Sequence, residues 1–210
     1  MSERIPNLLE NKTTIIFDFD GTLVDSNSIK YEAFEKCFEE YEEYFDAIMN
    51  YCRKHHHTPR HMKFKFAFKE IMGVTYTKEI ENKMLKTFDL ETTKKIIKTP
   101  EISGAVKFLN TVSGSYHMIL LSSTPHDKLL YILETRGLDK YFDTIQGSPV
   151  NKAAWIKKYL NNSQIDPRKT LFFGDTLEDA EASKKAGCPF IAVGIKIPNY
   201  KNIQNFLDIC

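Results

Sequence analysis

Two rhythms of apolar and polar positions run along this 210-residue chain. Five short runs rich in β-branched and aromatic residues read as strands: Ile15–Asp20, Tyr116–Ser122, Thr144–Gly147, Leu171–Asp175 and Phe190–Gly194. Between the later runs the apolar residues recur at helical spacing. Asp127–Arg136 sets Leu129, Leu130, Ile132 and Leu133 on one such repeat and stops at Gly137. Lys152–Leu160 carries Ala153, Trp155, Ile156, Tyr159 and Leu160. Asp179–Ala186 ends at Gly187, a helix stop ahead of Cys188-Pro189. Strands alternating with helices predict an α/β fold, a Rossmann-like parallel sheet covered on both faces.

The stretch from about Ser26 to Lys98 breaks this rhythm. Helix follows helix, with Tyr31, Phe34, Phe38, Tyr41, Tyr44 and Phe45 on repeating faces, and no convincing strand intervenes. The pattern predicts an all-α insert over 25–98, set into a core made of 1–24 and 99–210. Pro100 and Gly104 mark the return to the core.

Composition removes several function classes. A net charge of +1 favours neither nucleic acid nor an acidic membrane surface. No apolar run is long enough to span a bilayer, and the first twelve residues lack the features of a secretory signal. Cys37, Cys52, Cys188 and Cys210 show no CxxC pairing or disulfide framework, which fits a reduced cytoplasm. Cys210 is the last residue and cannot be a prenylation box.

The chemistry gathers at the ends of the strands. Asp18 and Asp20 close the first run and Gly21-Thr22 follows at once. Two neighbouring carboxylates at a buried strand tip need a cation or a shared proton, and a divalent metal site answers that need. A plain acidic turn is the alternative for a DxD taken alone. After the second run come Ser122-Ser123-Thr124-Pro125, where a hydroxyl and free backbone N–H groups suit an anion; capping of a helix near Pro125 is the plainer reading of Ser122. Lys152 falls in the first turn of a helix, where the dipole disfavours a cation, so it calls for a local anion. After the fourth run, Asp175 and Asp179 stand one turn apart and can face one point, although Asp175 could also be an N-cap. The carboxyl ends of parallel strands share one rim, so these four segments converge.

DFDGT over 18–22, the strand-end Ser122, Lys152 and GDTLED over 174–179 resemble, in order, the four signature motifs of the haloacid-dehalogenase-like superfamily. The insert after the first motif resembles the cap of its phosphoglycolate-phosphatase and β-phosphoglucomutase branch. A cap stretch of the form SRxxKFxxF, seen in members associated with surface-polysaccharide or sugar-nucleotide biosynthesis, resembles Thr58–Phe68 here. Thr58-Pro59 and His55-His56-His57 depart from that pattern. The resemblance implies a Mg²⁺-dependent phosphatase of a small phosphorylated metabolite, a sugar phosphate above all; a monomer or homodimer is expected, and the charge pattern predicts no nucleic-acid or membrane partner. The resemblance implies Asp18 as nucleophile and Asp20 as acid and base, with the metal held by Asp18, the Asp20 carbonyl and Asp175. Asp179 would orient Asp175 or a metal-bound water more than bind the ion itself. Gly21, Thr22, Ser122, Ser123 and Lys152 would hold the phosphate. Asp20 also separates the alternatives, since its presence points to ester hydrolysis or a phosphomutase of the same fold. A catalytically silent regulatory subunit is the remaining reading.

On the insert, Arg60 and Lys63 share a helical face and could grip a substrate carboxylate, phosphate or hydroxyls; a solvated basic face is the alternative. His57 and His61 have the spacing of a helical metal pair, yet no carboxylate or cysteine completes it, so a hydrogen-bonding surface is expected there.

Overall fold

Strand β1, Thr14–Phe17, is buried along its whole length, and its successive side chains serve two different cores. Ile16 joins Ile119, Leu121, Phe172, Ile156 and Ala180 on one face of the sheet. Phe17 faces the other way, stacks on Phe173 with centroids 5.4 Å apart, and meets Phe108, Phe142 and Phe206. A strand covered on both faces has no use for polar alternation, which is why Ile15-Ile16-Phe17 reads as a continuous apolar run.

The computed structural model describes residues 8–55 and 58–210. These divide into two compact units, 8–25 with 99–210 and 26–98. The first unit is built on a fully parallel six-stranded sheet in the order β3-β2-β1-β4-β5-β6. Its further strands are β2 (His117–Pro125), β3 (Thr144–Ser148), β4 (Thr170–Gly174), β5 (Phe190–Val193) and β6 (Lys201–Ile203). The strand order reverses between β1 and β4, and the crevice outside a parallel sheet lies at such a switch. β6 is a sixth strand beyond the five expected; at three residues, two of them exposed, it is too short to carry a periodicity.

The second unit contains α1 (Asn27–Phe38), α2 (Phe45–Lys54), α3 (Arg60–Phe66), a π-helical turn over Ala67–Ile71, and α4 (Lys78–Ile96). Its core is aromatic: Phe34, Phe38, Phe64, Phe68 and Phe88 pack with Ile48, Met49 and Met84. Thr77 caps α4 by accepting from the Ile80 N–H. The remaining helices belong to the first unit: α5 (Ala105–Val112), α6 (His126–Arg136), α7 (Lys152–Asn162) and α8 (Leu177–Ala186).

Candidate active site

Four carboxylates, none more than 7% exposed, stand at the carboxyl end of the sheet or in the first turn after it: Asp18, Asp20, Asp175 and Asp179. The Asp18 N–H donates to the Phe173 carbonyl at 2.9 Å, so the end of β1 is tied to the end of β4. Past Asp18 the chain turns tightly. The Leu23 and Val24 N–H groups both donate to the Phe19 carbonyl, and the Gly21 N–H donates to the Val24 carbonyl. Gly21 sits at φ +77°, a left-handed conformation that a side chain would strain.

Asn151 starts α7 by accepting from the Ala154 N–H, which sets Lys152 at the head of the helix. The ammonium donates to Asp18 Oδ1 at 2.9 Å and to Asp179 Oδ1 at 2.6 Å. A buried lysine is tolerable only with such partners. Burial alone would lower the Lys152 pKa, but the charges of Asp18 and Asp179 outweigh it and hold it above the ordinary lysine value. Burial dominates at Asp18: its pKa rises to about 8, the ammonium of Lys152 opposing and Asp179, Asp175 and Asp20 adding to the rise.

Asp179 is clamped on both oxygens. Lys152 takes Oδ1 and the Thr176 hydroxyl donates to Oδ2, while Thr176 itself caps α8 by accepting from the Asp179 N–H. Thr176, and not Asp175, is therefore the N-cap, as the spacing T-x-x-D announces. Gly174 makes room for this arrangement, since a Cβ there would come within 2.7 Å of the Asp179 Cβ. The Thr22 hydroxyl approaches Asp175 Oδ1 at 3.4 Å.

β2 runs further than its apolar residues suggest and carries Ser122, Ser123 and Thr124 to the same edge. Ser122 does not cap α6. The residue ahead of that helix is Pro125, and Ser122 Oγ accepts from the Thr124 N–H at 3.0 Å. Thr124 in turn donates from its hydroxyl to Asp20 Oδ2 at 2.7 Å. Sequence reasoning missed Thr124 and Thr176, the first because its partner lies 104 positions away.

Asp18, Asp175 and Asp179 bring one oxygen each to within 4.8 Å of one another, the grouping of this kind among the described residues. Hard carboxylate oxygens, four buried carboxyl groups and a single ammonium suit a divalent cation such as Mg²⁺. In the second unit the picture differs from the expectation. Lys63 is buried, donates to the Cys52 carbonyl at 3.0 Å and lies 4.9 Å from the centre of the Phe34 ring. Arg60 pairs with Asp89 at 3.1 Å over the Phe88 ring. Lys63 is thus a core residue, not part of a basic face. His56 and His57 lie outside the described residues; His61 is exposed.

The sequence profile described as "Haloacid dehalogenase-like hydrolase" matches residues 15–193. A phosphoglycolate phosphatase of Aquifex aeolicus is 30% identical over 182 residues, 82% of this chain and 80% of that protein. A phosphorylated carbohydrates phosphatase of Thermotoga maritima is 24% identical over 82% of this chain and 81% of its own length. Among solved structures, one described as a predicted phosphoglycolate phosphatase, from Haemophilus somnus, superposes with a TM-score of 0.74. It is 18% identical and covers 94% of this chain and 96% of its own. Among the described residues, no helix is long and apolar enough to cross a membrane.

Proposed function

Since the chain belongs to the haloacid dehalogenase-like hydrolase family, we propose that it hydrolyses the phosphate monoester of a small metabolite, with Mg²⁺ and through an aspartyl phosphate on Asp18. The observation that carries this reading is the buried contact of Lys152 with Asp18 and Asp179 beside Asp175. A sugar phosphate is the favoured substrate class, a choice that the name of the Thermotoga relative supports.

The steps follow from the residues. An oxygen of Asp18 bonds to phosphorus as the bond from phosphorus to the ester oxygen breaks. Asp20 delivers a proton to that departing oxygen, so a neutral alcohol leaves. Asp20, now a carboxylate, takes a proton from a water molecule whose oxygen attacks the phosphorus. The Asp18–phosphorus bond breaks, inorganic phosphate departs and both carboxyls return to their starting states. Lys152, Ser122 and the backbone N–H groups near Ser123 hold the transferring oxygens and offset their charge.

Asp18, Asp175 and the backbone carbonyl of Asp20 would hold the Mg²⁺, while Asp179, engaged on both oxygens, holds Lys152 in place. When bound, the ion supplies charge neutralisation at the phosphate and keeps Asp18 ionised.

The test is phosphate release from sugar, nucleotide, small-acid and aryl phosphates with Mg²⁺ and with EDTA. Metal-dependent release supports the proposal and the preferred substrate gives the class. Release unaffected by EDTA overturns the metal assignment, and no release across the panel counts against the phosphatase reading.

A further inference from the structure

Thr124 is held in place by three features that its own hydroxyl does not explain. Its N–H is bonded to Ser122 Oγ at 3.0 Å. The pairing of β2 with β3 shifts register between Leu121 and Pro125, so three residues of β2, Ser122 to Thr124, pass against one of β3, Gly147. Such irregularities re-aim a side chain beside active sites. Across that stretch β3 comes so close that a Cβ on Gly147 would lie 2.6 Å from the Thr124 carbonyl oxygen and 2.5 Å from the His126 Cα. The result of this construction is a 2.7 Å hydrogen bond from Thr124 Oγ1 to Asp20 Oδ2.

We propose that Thr124 is a positioning residue that fixes the carboxyl of Asp20 for proton exchange; the inference rests on the acid–base role given to Asp20 above. A carboxyl has two oxygens and carries its proton on one. While Thr124 donates to Oδ2, that oxygen acts as acceptor, and the exchangeable proton resides on Oδ1. The hydrogen bond also fixes the rotation of the carboxyl plane. Asp20 then meets the departing oxygen with the protonated side, and later meets water with the same side deprotonated. Without the hydroxyl, Oδ2 loses the donor that marks it as acceptor, and the proton divides between the two oxygens. Transfer weakens, although phosphate binding through Ser122 and Lys152 is unchanged.

That distinction sets the experiment. The value of kcat/KM covers the steps up to phosphoryl transfer onto Asp18, and demand for an acid grows as the leaving group becomes more basic. Thr124→Val, Thr124→Ser and Asp20→Asn are compared with the unmodified protein on 4-nitrophenyl phosphate and phenyl phosphate, with Mg²⁺ present. Thr124→Val is expected to lose about tenfold in kcat/KM on phenyl phosphate and less than about twofold on 4-nitrophenyl phosphate. Thr124→Ser, which keeps the hydroxyl, is expected to restore most of the loss. Asp20→Asn should show the same leaving-group bias more steeply. Equal losses on both esters in Thr124→Val, the mark of a merely structural role, would overturn the inference. So would a Thr124→Ser protein as impaired as Thr124→Val. A flat Thr124→Val beside a steep Asp20→Asn refutes the role of Thr124 alone. A flat Asp20→Asn refutes the acid–base reading on which the role depends.

Discussion

Replacing Lys152 with methionine tests what holds the carboxylates together. The aliphatic stem is kept, so packing against the core changes little and the charge is what disappears. Asp18 and Asp179, with side chains 8% and 1% exposed, then lose the ammonium that bonded both. Removing one partner of a buried ion pair costs about 3–5 kcal/mol, because the charge left behind is uncompensated. For a protein of this size that corresponds to a fall in Tm of about 6–20 °C. Trp155 supplies the assay. It is the single tryptophan of the chain and lies on α7, packed against the core cluster, so its fluorescence follows the sheet unit. In chelator at pH 7.5 the variant should unfold at the lower temperature. The deficit should shrink on acidification towards pH 5, as protonation of the carboxylates relieves their repulsion. A variant within about 2 °C of the unmodified protein at pH 7.5 would refute the reasoning, as would a deficit that widens in acid.

Other consequences follow from the packing. Gly147→Ala forces a methyl against backbone at 2.5 Å and should cost about 1–3 kcal/mol in urea titrations followed at Trp155. Cys37, Cys52 and Cys188 are buried, with thiols pushed up to about 12, 11 and 12 by desolvation, while Cys210 is exposed. Titration with an aromatic disulfide should detect one thiol in the native protein and four after unfolding.

The sheet and the gathering at its rim were legible in the sequence because both write local patterns. Ile15-Ile16-Phe17 is apolar without a break since both faces of β1 are covered, and Gly187 announces its helix end through its left-handed φ of +80°. Lys152, a cation in a helix's first turn, signalled a need for anions without saying which; the fold supplies Asp18 and Asp179. What escaped depends on distant partners. Thr124 reads as one more hydroxyl until the fold brings it to Asp20. Lys63 sits among Arg60, Lys65 and Lys69 and looks like part of a solvated face, yet it is buried against Phe34 with a backbone carbonyl to accept from it. β6 has three residues and no periodicity to show.

The most direct test of the central claim is chemical trapping at Asp18. The protein, turning over a phosphate ester with Mg²⁺, is quenched in acid and reduced with borohydride, which converts an aspartyl phosphate to homoserine. Peptide mass spectrometry should find homoserine at position 18 in the unmodified protein during turnover and not without substrate. Sustained hydrolysis with no homoserine at that position, or with the modification at a different carboxylate, would contradict the account.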